Sequence, residues 1–226
     1  MSWEVRTMQS KTSYFNATLF RKNLTRFWPL WGLASFIGAL FPLAVLLDMV
    51  HRGWNVLSAP DFTGMYYDAV SAVPVINLVY AALCAMAVWS YLYNARSVGL
   101  MHTLPIRREG LFLTNYLSGL SFMLLPSLVV FFCTLLAELA KGCPNIGALC
   151  MWLAMQVLLT LFFYSFAVFC AMFTGNVLAL PVFYGILNFL VVGVYMLVQG
   201  LMAEFFYGYS NRWWESSPIV EWLTPF

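Results

Sequence analysis

The sequence predicts an all-α protein, a polytopic transmembrane helical bundle with five spans and an amino-terminal interfacial helix. Three observations carry this. Hydrophobic residues make up 62% of the 226 positions and charged residues 9%. Mean hydropathy is +0.81 with 18% aromatic residues, far from the composition of a soluble domain. No charged residue occurs from Gly142 to Ala203, a stretch too long for one span and suited to two.

The amino-terminal segment is polar and basic, with Arg6, Lys11, Arg21, Lys22 and Arg26 and no short apolar core, so it does not read as a secretory signal. Over residues 14–27, Phe20, Leu24, Phe27, Trp28 and Trp31 fall on one helical face. Thr18, Arg21, Lys22, Thr25 and Arg26 fall on the other. An aromatic face opposite a basic one is the pattern of a helix lying among lipid headgroups. A plain basic flank that orients the next span is the simpler alternative.

The first span is expected at about 28–47, with Pro29 tolerable in its first turn, and Asp48, His51 and Arg52 end it. The second covers about 70–93. A polar island follows, NARSVGLMHTLPIRREG at 94–110, and leads into the third span at about 111–139, where Pro126 predicts a kink. Gly142 to Asn145 read as a turn. The fourth span is expected at about 146–172, a turn at Phe173 to Asn176, and the fifth span at about 177–202, broken early by Pro181. Residues 203–226 mix Glu204, Arg212, Glu215 and Glu221 with seven aromatic side chains from Phe205 to Trp222, a composition suited to an external interfacial segment.

Basic residues set the orientation. With the amino terminus inside, Arg6, Lys11, Arg21, Lys22, Arg26, Arg96, Arg107 and Arg108 share the inner side, against Arg52, Lys141 and Arg212 outside. That is a positive-inside bias, which makes the amino terminus and the island cytoplasmic.

Chemistry is sparse. No GxxxxGK[ST] or HExxH motif occurs, and the two histidines, His51 and His102, fall on opposite sides of the membrane. No catalytic, cofactor-binding or metal-ligating set is expected, and no nucleic-acid partner. The five cysteines form no CxxC pair, and four lie in apolar runs, where Cys packs as a small hydrophobe. The spans carry no ionisable residue at their centres, which argues against an ion-coupled carrier. Asn77, Gln156 and Asn188 are the strong hydrogen-bonding side chains well inside. Hydrogen bonding between helices is favoured for them over contact with a substrate.

Within the island, Val98, Met101 and Leu104 recur at helical spacing opposite Arg96, Ser97 and Thr103, and Pro105 stops the run. Arg107, Arg108 and Glu109 open the third span, with Glu109 where the helix dipole favours an acid.

The run GLMHTLPIRREGLFLTNYLSG resembles the corresponding region of bacterial ABC-2 type transporter permeases, the membrane subunits of ATP-binding-cassette exporters. KTSYFNATLFRKNLTRFWPLWGL is similar to their opening. The resemblance implies a coupling helix at 94–104, closed by Leu104, Pro105, Ile106 and Arg107. Arg96, Val98, Met101, Leu104, Arg107 and Arg108 would meet a separate ATPase subunit that holds ATP and magnesium. It further implies a second permease half or copy as a dimer partner, membrane lipid around the bundle, and the bacterial cytoplasmic membrane as the location. The family has six spans with an external segment between the fifth and sixth, so 203–226 matches that segment and the sixth span is missing, as in an amino-terminal fragment. The alternative expectation is a non-transporting scaffold or sensor partner, whose basic cytoplasmic face binds anionic lipid or a regulatory protein.

Overall fold

The computed structural model describes residues 15–52, 73–94, 97–99, 108–141 and 146–206. Every extended element among them is helical, and no strand occurs among the described residues. In chain order these are α1 (Ala17–Arg26), α2 (Trp28–Arg52), α3 (Val73–Trp89), α4 (Arg108–Lys141), α5 (Ile146–Phe173) and α6 (Ala179–Phe205); α3 runs on into a 3₁₀ turn at Ser90–Tyr93. Four of them, α3 to α6, are each long and apolar enough to cross a membrane, or five if the bent pair α1–α2 is counted as one span. The chain is an all-α helical bundle built for a membrane.

Each boundary has a local cause. Asn16 caps α1, its Oδ1 accepting from the amides of Thr18 and Leu19 at 3.1 Å each. The chain then bends by 61° into α2. The Trp31 indole fastens the bend, its Nε1 donating 3.1 Å to the Leu24 carbonyl in the last turn of α1. Between α5 and α6, Asn176 forms an Asx turn, its Oδ1 accepting from the Leu178 amide at 3.1 Å. The fifth span is not broken at Pro181, as its sequence suggested. Pro181 sits in the first turn of α6, where no helical amide is needed, and the helix continues past Met202 to Phe205. The segments 53–72, 142–145 and 207–226 lie outside the described residues.

Helix α4 is the centre of the assembly, packing against α1, α2, α3 and α5, whereas α6 leans on α5 and more lightly on α3. Lipid is as apolar as a protein core, so close backbone approach and dispersion must hold such helices together. Small residues allow it. Ala81, Cys84 and Ala85 on α3 share the buried core with Ala167, Cys170 and Ala171 on α5. Gly38 brings α2 onto α4; a Cβ there would stand 2.6 Å from Val130 Cγ2. Gly119 of α4 does the same for α5, because a methyl group at that position would run into the Tyr164 hydroxyl.

Pro126 lies inside α4 and the helix passes through it unbroken. It cannot donate to the carbonyl one turn back, Phe122, and hydrocarbon offers no water in exchange. Tyr80 of α3 fills the gap, its hydroxyl donating 2.8 Å to that carbonyl. Tyr184 of α6 donates in the same manner to Phe163 of α5 at 3.3 Å, and Tyr93 to Ala171 at 2.9 Å. Polar groups of α4 are also satisfied locally: Thr114, Ser118, Ser121, Ser127 and Thr134 each donate to the carbonyl four residues back.

Tyr80→Phe is expected to cost about 1–2 kcal/mol, the usual penalty for an orphaned buried acceptor. Paired with Pro126→Ala, which returns an amide to Phe122, the same change should cost close to nothing. A double-mutant cycle by reversible unfolding in mixed micelles measures the difference, and equal costs in both backgrounds would refute the pairing. By the same assay Gly119→Ala should lose about 1–3 kcal/mol by overpacking. Tyr164→Phe should lose under about 1 kcal/mol, since the Tyr164 hydroxyl and the neighbouring Trp89 indole are buried without an aligned partner.

Candidate functional site

Two places in the bundle concentrate polar groups. One is the end formed by α1 and the start of α4. The other is a pair of amides between α3 and α5.

At the first, two asparagines separated by two helical turns tie α1 to α4. The Asn16 backbone amide donates 3.1 Å to Thr114 Oγ1. Asn23 Nδ2 donates 2.9 Å to Asn115 Oδ1 and 3.3 Å to Ser118 Oγ. Thr114, Asn115 and Ser118 are all buried. Beneath them Phe27 meets Phe122 at 5.8 Å between ring centroids, and Leu24 packs against the core. The other face of α1 is exposed and carries Thr18, Arg21, Lys22, Thr25 and Arg26. Both faces follow from the periodicity of the sequence. The anchoring by Asn23, Asn115 and Ser118 was missed; its signal is a polar Asn23 among the apolar residues of the inward face of α1, matched by Asn115 and Ser118 at helical spacing on α4.

Of the residues expected to couple to an ATPase, Arg96, Met101, Leu104 and Arg107 lie outside the described residues. Val98 falls in a short helical stretch at 97–99, half-buried, with its amide donating 3.0 Å to the Asn94 carbonyl. Arg108 is the exposed first residue of α4, with Glu109 exposed beside it in the first turn.

The second place joins two of the three intramembrane amides. Asn77 Nδ2 donates 3.2 Å to Gln156 Oε1, and Gln156 Nε2 donates 3.0 Å to Asn77 Oδ1. Asn77 is 4% exposed and Gln156 half-buried, and each amide gives one N–H and accepts one in this reciprocal pair. It bridges α3 and α5. Asn188 is not part of it: its Nδ2 donates 2.8 Å to the Tyr184 carbonyl within α6. Neither amide can carry a proton or a charge, so the pair positions helices and performs no acid–base chemistry.

Among the described residues no group of three His, Cys, Asp or Glu side chains is placed to hold a metal ion. Cys84, Cys133, Cys150 and Cys170 are free thiols. Glu138, the buried acid of α4, sits in the last turn of the helix and not at mid-span.

Asn77→Ala and Gln156→Ala should each destabilise the bundle by about 0.6–1.7 kcal/mol, the range of hydrogen bonds between membrane helices. The double variant should cost no more than the worse single one. Additive losses would show that the two amides are not partners.

Comparison of the chain with protein-family models, with curated proteins and with solved structures yields no match to any of the three.

Proposed function

We propose that this chain is the permease subunit of an ABC-2 type exporter, working in a bacterial cytoplasmic membrane with its amino terminus inside. One observation carries the reading. The helix that continues the basic segment 94–110, α4, is also the one that packs against α1, α2, α3 and α5. A push delivered at that end reaches four helices through one. The resemblance of 99–119 to ABC-2 permeases names the source of the push, and the lack of ionisable residues at the centres of the described spans leaves the energy to a partner.

In this reading a separate ATPase subunit holds ATP and magnesium and closes upon binding them. The segment 94–104 docks on it through Arg96, Val98, Met101 and Leu104, and Arg107 and Arg108 complete the docking surface where α4 meets the membrane surface. Closure displaces α4, and α1 follows through Asn23. A second permease half or copy completes the pathway, and inward and outward access alternate as the two bundles repack.

The test is co-purification with an ATPase encoded beside this chain that carries GxxxxGK[ST]. Arg96→Glu and Arg107→Glu together should weaken the complex by roughly tenfold or more, because like charges set against a docking surface are strongly disfavoured. Stimulation of ATP hydrolysis should fall with it. Unchanged complex formation and stimulation would end the docking proposal.

A further inference from the structure

We infer that the outward face of α1 is a binding site for the phosphodiester group of an anionic phospholipid. This face is a shallow, open surface formed by Ala17, Thr18, Arg21, Lys22 and Thr25. Arg21 and Lys22 are exposed, and among the described residues no carboxylate pairs with either. Thr18 adds a hydroxyl with no hydrogen-bond partner among the described residues, whereas Thr25 turns its hydroxyl back onto the Arg21 and Lys22 carbonyls at 3.0 and 3.1 Å. Arg26 extends the cationic row, its guanidinium 5.2 Å from the centre of the Phe27 ring. Cations gathered on one face repel one another, and a phosphate among them relieves that repulsion while accepting their hydrogen bonds.

Two features select a lipid over free phosphate. The opposite face of α1 is sunk into the bundle through Leu24 and Phe27, and the chain turns 61° at once into a spanning direction. Trp28, at that turn, is 63% exposed, and an exposed indole there belongs at headgroup level. The cationic face is therefore held beside headgroups. It is open and not an enclosed pocket, which leaves room for a phosphate still joined to acyl chains. Occupancy bears on the fold, because the same helix holds α4 through Asn23. The inference does not depend on the transport reading.

The full chain, purified in a non-ionic detergent, would be titrated with phosphatidylglycerol and, separately, with phosphatidylcholine, and bound lipid counted by native mass spectrometry. Phosphatidylglycerol adducts should dominate, with one lipid bound more tightly than the rest. Arg21→Gln and Lys22→Gln should each weaken that adduct roughly fivefold, as expected for one cation at a lipid surface. Arg52→Gln, at the far end of α2, should leave it unchanged, and a monodisperse elution profile confirms that each variant is folded. Equal retention of the two lipids, or adducts that survive both α1 substitutions, would overturn the site. So would full displacement by inorganic phosphate at the lipid's own concentration, which would assign the face to a soluble anion.

Discussion

In the middle of a membrane span, Pro126 strips the Phe122 carbonyl of its helical amide, and Tyr80 reaches across from the neighbouring helix to replace it. Hydrocarbon supplies no water to that carbonyl, so the Tyr80 hydroxyl ties α3 to α4 at this level of the span. The rest of the bundle is arranged around α4 once this contact is fixed. Gly38 lets α2 close in from one side and Gly119 lets α5 close in from another. The Tyr184 hydroxyl then ties α6 to α5. Tyrosine serves as the connector each time because its ring packs as an apolar group while its hydroxyl ends at a backbone carbonyl.

The end that bears α1 is built differently. The acceptors on α4 there are side-chain oxygens, not backbone carbonyls: the Asn16 backbone amide reaches Thr114, and the Asn23 side chain alone contacts two groups. Such contacts are directional and break together when α1 shifts. A helix held by a few polar bonds on one face, with cations on the other, is suited to answer changes in what surrounds it. The permease reading and the lipid site both draw on that property from opposite sides of the same helix.

Much of the helical architecture was legible in the sequence, because long uncharged runs read as apolar helices and the basic-aromatic alternation of 14–27 reads as a two-faced helix. Orientation within the bundle was not. In α5 the exposed residues include Met155, Leu158 and Phe162, while Thr160 and Tyr164 are buried. With lipid outside, apolar residues gain nothing by facing in, so the usual periodic signal is lost. Tyr80 looked like one more aromatic residue of a span, and its role required knowing which carbonyl Pro126 would orphan. Pro181 was misread for a related reason: its effect depends on whether it falls in a first turn or an interior one. Of the segment expected to dock, 94–104, the described residues are 94 and 97–99.

The pairing of Asn77 with Gln156 has an electrical consequence. Both groups are neutral at any pH a cell meets, and their dipoles oppose each other in a closed ring of two hydrogen bonds. Sliding α3 along α5 at this seam would move no net charge through the membrane field. The transmembrane potential, worth about 2.3 kcal/mol per elementary charge per 100 mV, would find nothing there to act on. A rearrangement centred on this pair would run at the same rate in an energised and a depolarised membrane.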